Sequence, residues 1–229
     1  NIYAHADKNK SFCHPDINIK NNNFMIGYGS LMNSESRKRT NPEAKYVFPV
    51  LVNGFKRLWG IGSDEYGITF LTIVKSKGSI FNGAYYKTDY NNIIATDNRE
   101  QGYCRIKVDK DKIKPLGLDK IPKGDYWVYA QKNTEKIILP SKKRPIVQSY
   151  VDIFLNGCIE IGDQFQLPGF LSKCIETTHM WLNPNEINSW INDRIHPQRP
   201  FDNPNAFKID KILHKKFKNY YKHIKTIKN

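Results

Sequence analysis

The chain has 229 residues, of which 39% are hydrophobic, 13% aromatic and 25% charged, with a mean hydropathy of −0.61. This aromatic content excludes a disordered chain, because disordered segments lack the large apolar side chains that build a core. No apolar run approaches the roughly 18 to 20 residues that cross a bilayer, which excludes a transmembrane segment in the sequence. The length suits one domain of generous size, or one domain with an appendage.

The charge balance is strongly basic: 36 lysine and arginine residues stand against 22 aspartate and glutamate residues, a formal net charge of +14. Such a balance favours acidic partners in general, and nucleic acid is one of them. The excess is mostly lysine, and the chain is also rich in asparagine, a pairing that AT-rich coding sequence produces. Coding bias is therefore the simpler explanation, and the charge indicates no obligatory nucleic-acid partner.

Four cysteines, Cys13, Cys104, Cys158 and Cys174, are scattered without a C-x-x-C pair. This spacing indicates neither a zinc site nor a dense disulfide framework, so we expect reduced, partly buried thiols. We favour a cytoplasmic location. Because the chain begins with asparagine and not methionine, a secreted or periplasmic location after signal removal stays open.

The first part of the chain is rich in strand signals. Residues 1–22 are polar and lack periodicity, which predicts a loosely held N-terminal arm. The apolar run 24–28 predicts a first strand, and polar residues from Asn33 onward then cap a helix. Further strands are predicted from β-branched and aromatic residues at 45–52, 68–75, 79–86, 103–108 and 126–131.

Helices dominate the later part of the chain. Asp89 is a good cap for a helix that runs through Glu100 and ends at Gly102. From about Pro145 the apolar residues recur with the helical period of about 3.6, which predicts two more helices. Strands first and helices last indicate an α+β fold and not alternating βαβ units.

The last stretch, residues 207–229, predicts a basic amphipathic helix. Its apolar face consists of Ile209, Ile212, Leu213, Phe217, Tyr220, Ile224 and Ile227, and eight lysines between Lys208 and Lys228 fill the other face. We expect the apolar face to dock on the domain. Binding to an anionic surface, a membrane or nucleic acid, is the alternative.

The segment 27–32, with the sequence GYGSLM, connects the first strand to the helix that follows. A dinucleotide-binding loop is excluded, because methionine stands where the third glycine belongs and no acid lies about 20 residues further on. A glycine-containing turn into a helix can still direct several backbone N–H groups at one spot and bind a carboxylate or an oxyanion. A plain tight turn is the alternative.

Glu100 is the second candidate, since it is expected at the C-terminal end of a short helix. The negative end of the helix dipole and partial burial both disfavour ionisation of a carboxyl group, so they raise its pKa toward a value useful to a general base. The alternative is a solvated surface glutamate.

Taken together, Tyr28, Gly29, Ser30 and Leu31 after the first strand and a lone Glu100 about 70 residues later resemble the γ-glutamylcyclotransferase-like superfamily. This superfamily includes the ChaC glutathione-specific enzymes and AIG2-like proteins. The resemblance covers about residues 23–131 and implies a small mixed or antiparallel barrel-like sheet flanked by helices. It suggests an arm at 1–22, a catalytic domain at 23–145 and a helical extension at 146–229 packed on the same domain, similar to that of some bacterial members.

The resemblance also implies a reaction that needs no metal or cofactor. The α-amine of a γ-glutamyl group attacks its own γ-carbonyl, which closes the 5-oxoproline ring and releases an amine, an amino acid or a peptide. Glu100 would be the general acid/base for both proton transfers. Tyr28, Gly29, Ser30 and Leu31 would bind the glutamyl end, with Tyr103 and Tyr129 as further lining residues.

A non-catalytic module that binds carboxylates or other anions through the same loop and its basic surface is the competing hypothesis. Arg37, Lys38 and Arg39 could add positive potential near the loop or form a solvated helix face. His179, His196 and Cys104 are weaker candidates, for which packing or surface roles are expected. The sequence leaves the γ-glutamyl substrate and the oligomeric state open.

Overall fold

The structure is a computed structural model, and it describes residues 13–131, 136–219, 221 and 224–226. The strands are β1 (Asn23–Gly27), β2 (Phe48–Ser63), β3 (Ile68–Thr88), β4 (Cys104–Val108), β5 (Ile113–Pro115), β6 (Asp125–Ala130), β7 (Ile146–Val147), β8 (Thr178–His179), β9 (Trp190–Asn192) and β10 (Lys225–Thr226). The α-helices are α1 (Ser34–Lys38), α2 (Tyr90–Arg99), α3 (Gln148–Gln164), α4 (Phe170–Glu176) and α5 (Ala206–Lys216), and short 3-10 helices span Ser30–Met32 and Lys110–Lys112.

One mixed sheet forms the centre of the molecule, in the order β4-β6-β1-β3-β2-β5, with β8 paired to β2. The β1–β6 and β2–β8 pairs are parallel, and the other pairs in this sheet are antiparallel. The sheet curls into a half-barrel with helices around it, so the predicted α+β class is confirmed. No helix among the described residues is long and apolar enough to cross a membrane.

β3 is longer than the sequence pattern indicates. The strands predicted at 68–75 and 79–86 are parts of one strand, and the strand predicted at 45–52 continues to Ser63. The pairing of β2 with β3 shifts register between Asn53 and Phe55, where Gly54 has a φ of 84°. Glycine adopts this left-handed conformation at little cost, so a bulge forms here and neither strand ends.

α3 is the central helix of the core, and 14 of its 17 residues are buried. It packs against α4, against α5 and against the 3-10 helix Ser30–Met32. A helix that is buried on nearly all sides needs partners on each face. α3 therefore joins the C-terminal part of the chain to the segment that follows β1.

The basic helix predicted at the C-terminus is shorter in the structure, because α5 ends at Lys216. Ile209 and Leu213 are fully buried, and the Phe217 ring packs 5.6 Å from Trp181 and 6.1 Å from Trp190. The backbone turns at Phe217, and β10 then pairs with β9. Tyr220 and Ile227 of the predicted face lie outside the described residues.

The expectation of reduced thiols is wrong in the structure. Cys13 pairs with Cys104, and Cys158 pairs with Cys174. The first pair is 91 residues apart in the sequence, so spacing could not reveal it. It fixes the described part of the N-terminal arm to β4, and a hydrogen bond of 2.9 Å from the His14 amide to the Arg105 carbonyl adds to this attachment.

Arg57 in β2 is a fully buried cation without a carboxylate partner among the described residues. Its side chain donates hydrogen bonds of 2.7 to 3.0 Å to the carbonyls of Tyr28, Asn82 and Cys174, the amide oxygen of Asn82 and the hydroxyls of Thr177 and Thr178. Burial lowers the pKa of Arg57 to about 9, so the side chain is still charged at neutral pH. One side chain thus links β2, β3, the end of α4 and the residue that follows β1.

Replacing Arg57 with leucine leaves these acceptors buried and unpaired. We expect Arg57→Leu to lower the free energy of unfolding by about 3 to 5 kcal/mol, measured by urea unfolding. Arg57→Lys keeps the charge but has fewer donors, so a smaller loss is expected. The control is Arg39→Leu, which breaks an exposed pair with Glu35 and costs less than about 1 kcal/mol. Equal losses in the two leucine variants would contradict the role given to Arg57.

Candidate functional site

The loop of residues 28–31, which we call the YGSL loop, leaves the sheet at the end of β1. β1 lies between β6 and β3, so the loop begins near the middle of the sheet. The 3-10 helix starts at once, with hydrogen bonds of 3.0 Å from the Met32 amide to the Gly29 carbonyl and 3.2 Å from the Asn33 amide to the Ser30 carbonyl. Within the described residues, the amides of Ser30 and Leu31 donate no hydrogen bond. These two N–H groups are available to a ligand.

Arg37 supports the YGSL loop from the interior of the protein and does not add positive electrostatic potential at the surface of the loop. Its side chain is 2% exposed and donates hydrogen bonds to the carbonyls of Leu31, Met32 and Ala44 at 3.1, 2.9 and 3.0 Å. A buried guanidinium can satisfy several carbonyls of a turn at once. Arg37 therefore neither adds positive potential for a ligand nor lies on a solvated helix face. Its role is to support the backbone of the loop.

α3 supports the loop from the other side. A Cβ atom on Gly157 would lie 2.6 Å from the carbonyl carbon of Met32 and 2.9 Å from the Cα of Asn33, so only glycine allows this approach. Three residues further along α3, the Glu160 carboxylate accepts hydrogen bonds of 2.9 Å from the Asn33 side chain and the Ser34 amide. The sequence analysis missed both residues, since nothing local links them to the loop.

Glu100 immediately follows α2, and its amide donates to the Thr96 carbonyl at 2.9 Å. Asp89 caps the other end of this helix by accepting a hydrogen bond of 2.8 Å from the Asn92 amide. The predicted cap is therefore correct, but the predicted end at Gly102 is wrong, because the helix ends at Arg99. The next turn is closed by a 2.9 Å hydrogen bond from the Tyr103 amide to the Glu100 carbonyl.

The Glu100 side chain is 18% exposed and lies 3.3 Å from the Arg99 guanidinium. Burial raises the pKa of Glu100, while the positive charges of Arg99 and Arg199 act in the opposite direction. Burial is the larger effect, so the carboxyl group takes up a proton more readily than an ordinary glutamate. A carboxyl group tuned in this way can both accept and donate a proton closer to neutral pH.

Arg99 connects Glu100 to the YGSL loop and to α1. Its guanidinium donates hydrogen bonds to the Ser30 hydroxyl at 3.3 Å, to the Ser36 carbonyl at 3.0 Å and to the Thr40 hydroxyl at 2.7 Å. Because these contacts use a planar group with fixed donor directions, they fix the carboxylate of Glu100 relative to the loop.

Two adjoining cavities meet at Glu100. A small inner cavity of about 30 Å³ is lined by Ile26, Tyr28, Gly29, Ser30, Leu31, Leu71, Glu100, Tyr103, Tyr129 and Tyr150. A wide outer cleft of about 870 Å³ shares Ser30, Glu100, Tyr103 and Tyr150 with it and adds Arg99, Phe70, Tyr66 and Arg199 among others. All seven residues selected from the sequence therefore line the inner cavity.

The hydroxyl groups of the two predicted tyrosines are engaged by the protein. The Tyr103 hydroxyl donates to the Leu71 carbonyl at 2.6 Å, and the Tyr129 hydroxyl donates to the Asp97 carboxylate at 2.6 Å. Burial raises the pKa of both groups. Their part in the cavity is therefore to shape its wall, and neither is free to transfer a proton.

Tyr150 of α3 also lines the cavities and was not selected from the sequence. Burial raises the pKa of its hydroxyl group. The only local signal was a tyrosine within an otherwise apolar helical stripe.

The weaker candidates His179 and His196 line neither cavity, and Cys104 is paired with Cys13. Among the described residues, no group of three or more histidine, cysteine, aspartate or glutamate side chains could hold a metal ion.

Comparison with solved structures identifies the fold. A structure named γ-glutamyl cyclotransferase superposes with a TM-score of 0.53 over 85% of this chain and 99% of that chain, at 18% sequence identity. YkqA from Bacillus subtilis superposes with a TM-score of 0.51 over 68% of this chain and 54% of that chain, at 16% identity. No family model and no curated protein sequence matches the chain. The chain has the γ-glutamylcyclotransferase-like fold, and the resemblance seen in the sequence is confirmed at the level of the fold.

The close approach of α3 to the loop can be tested at Gly157. We expect Gly157→Ala to lower the free energy of unfolding by about 1 to 3 kcal/mol, because the new methyl group meets the backbone of Met32. Urea unfolding measures the loss. A Cβ on Gly169 meets nothing within 4 Å, so Gly169→Ala is the control, with an expected change within about 0.5 kcal/mol. A loss in the control as large as in Gly157→Ala would contradict the interpretation.

The raised pKa of Glu100 predicts a pH-dependent cost to stability. Below its ordinary pKa of 4.5, the carboxyl group is neutral in the folded and unfolded states. As pH rises, the unfolded state ionises first, so the wild type loses stability until the folded group has also ionised. Glu100→Gln lacks this loss, so its stability relative to wild type should increase over the pH range above the ordinary pKa of 4.5. A difference that stays constant over this range in urea unfolding would show that burial does not raise the pKa.

Proposed function

We propose that this protein is a γ-glutamylcyclotransferase, which converts a γ-glutamyl group to 5-oxoproline and releases the attached amine, amino acid or peptide. The observation that carries the proposal is Glu100: a mostly buried carboxyl group with a raised pKa that lines the same cavity as the YGSL loop. The likeness of the fold to a γ-glutamyl cyclotransferase supports it.

The reaction needs one proton acceptor that becomes a proton donor. An α-ammonium group titrates at a pKa of about 7.7 to 8.0, so it is mostly protonated near neutral pH and must lose a proton before its nitrogen can attack. The Glu100 carboxylate accepts that proton. The new C–N bond closes the five-membered ring, and Glu100 returns the first proton to the leaving nitrogen as the bond to that nitrogen breaks. The released amine takes up the second proton, which the ring nitrogen loses, and leaves as an ammonium group. The raised pKa of Glu100 lies closer to the pKa of the substrate amine than the pKa of an ordinary glutamate does, and this favours both proton transfers.

The YGSL loop supplies the positive partial charge that the anionic groups need. The amides of Ser30 and Leu31 are free to donate to the α-carboxylate of the glutamyl group, or to the oxygen that becomes negative as the carbonyl is attacked. The backbone of the loop is fixed by Arg37 and Gly157, so these donors are in place before the substrate binds. Preorganised donors lose no energy to rearrangement during the reaction.

Positioning accounts for a large part of the rate enhancement, because the attack is intramolecular. An extended glutamyl chain keeps its amine away from the γ-carbonyl, whereas a cavity that holds the chain bent brings the two together. The inner cavity is too small for a whole glutamyl group and accommodates only one terminal group of it. The remainder of the substrate then lies in the outer cleft beside Glu100.

Mass-spectrometric detection of 5-oxoproline tests the proposal. The purified protein is incubated with glutathione, γ-glutamyl dipeptides and γ-glutamyl amines. We expect release from at least one substrate by the wild type, and a loss of at least about 1,000-fold in Glu100→Gln, because the amide of glutamine cannot carry out the proton transfers proposed for Glu100.

Glu43→Gln is the matched control, since Glu43 is exposed, lines neither cavity and carries the same functional group. It should retain wild-type turnover. Unchanged turnover in Glu100→Gln would refute the assignment of the acid/base. Absence of product from every substrate with the wild type would refute the reaction and favour a binding module with the same fold.

A further inference from the structure

Arg199 is a cation that lines the outer cleft. Arg99 bonds to Ser30, Ser36, Thr40 and Glu100, and Arg39 at the cleft rim is paired with Glu35. In contrast, the Arg199 guanidinium donates no hydrogen bond and forms no ion pair within the part of the chain that the structure describes. Five N–H donors at the mouth of a cleft are therefore left for a ligand.

The structure holds Arg199 in place by other means. The centre of its guanidinium lies 5.8 Å from the Phe70 ring and 5.9 Å from the Tyr150 ring, within the range of cation–π contacts. Its backbone amide donates to the Ser149 hydroxyl at 3.1 Å. The same hydroxyl donates at 2.6 Å to the carboxylate of Asp193, which is fully buried. A side chain fixed in this way loses little further freedom when it binds an anion.

The two cavities define a direction along the substrate. The YGSL loop and Glu100 line the inner cavity, and Arg199 lines only the outer cleft. Glu100 belongs to both, so the bond that breaks must lie where they meet. A substrate that places the α-carboxylate of its glutamyl group at the free amides of the loop directs its leaving group outward, toward Arg199 and the aromatic rings of Phe70 and Tyr150.

We propose that Arg199 binds the carboxylate of the leaving group, so that the substrates are γ-glutamyl amino acids or peptides and not γ-glutamyl amines. This inference rests on the proposed function. A guanidinium matches a carboxylate with two parallel hydrogen bonds, which distinguishes a leaving amino acid from an otherwise identical leaving amine. The neighbouring aromatic rings accommodate the side chain of that amino acid.

Two ligands that differ only in this carboxylate test the proposal: γ-glutamylalanine and γ-glutamylethylamine. Calorimetry on the Glu100→Gln protein measures binding without turnover. We expect γ-glutamylalanine to bind about 10- to 100-fold more tightly, the range expected for one charge-assisted pair. Adding Arg199→Gln should remove this preference by weakening γ-glutamylalanine alone, and Arg199→Lys, which keeps the charge, should restore part of it.

Arg39→Gln is the control, because it removes a positive charge at the rim of the same cleft that Glu35 already neutralises. With Arg39→Gln added, the Glu100→Gln protein should keep its full preference for γ-glutamylalanine over γ-glutamylethylamine. Circular dichroism checks that each variant is folded; among the described residues, the Arg199 guanidinium makes no hydrogen bond on which folding depends.

Three results would overturn the proposal: no preference in the parent protein, equal weakening of both ligands by Arg199→Gln, or no binding of γ-glutamylalanine. Its failure is distinguishable from failure of the reaction. If the wild type releases no 5-oxoproline but the preference depends on Arg199, the carboxylate site stands and the reaction does not. If both ligands turn over equally well in the wild type, the reaction stands and the carboxylate site does not.

Discussion

The buried charge of Arg57 is the constraint on which the rest of the structure depends. A cation inside a protein is tolerated only when its donors are all satisfied, and here the acceptors come from separate parts of the chain. The end of α4, β3 and the residue after β1 must all be in place before the charge is stable. The Tyr28 carbonyl is one acceptor, so the conformation of the YGSL loop is coupled to the folding of the whole molecule.

Around Glu100, two opposing electrostatic effects are balanced. Arg99 and Arg199 favour the ionised carboxylate, whereas removal from water favours the neutral acid, and the second effect is larger. A similar carboxylate on the surface would stay ionised at neutral pH and would be a poor proton donor. The arginines nevertheless oppose the effect of burial on this pKa. For the proposed proton transfers, a carboxyl group with a pKa closer to neutral pH is favourable, because it must both accept and donate a proton.

Local signals predicted the central features of the site. A strand that ends in glycine and a capped helix predicted where the YGSL loop and Glu100 lie in the fold, because each element depends on neighbouring residues. Tyr150 and Arg199 were missed, since they reach the cleft only through the packing of α3 and the turn after β9. Gly157 was missed because its contact with Met32 and Asn33 also depends on the packing of α3. The same reason explains the error at the C-terminus: the pattern of α5 continues past Lys216, but contact of the Phe217 ring with two tryptophans turns the chain.

In the proposed reaction, ring closure and selection of the leaving group depend on separate segments of the chain. The groups that would close the ring come from residues 28–31 and 100, whereas the group that would select the leaving molecule lies almost a hundred residues later, in a turn organised by Asp193. Under the proposal for Arg199, substitutions in that turn would alter which molecule is released and leave the ring-closing groups intact. Substrate specificity would then change without loss of the reaction.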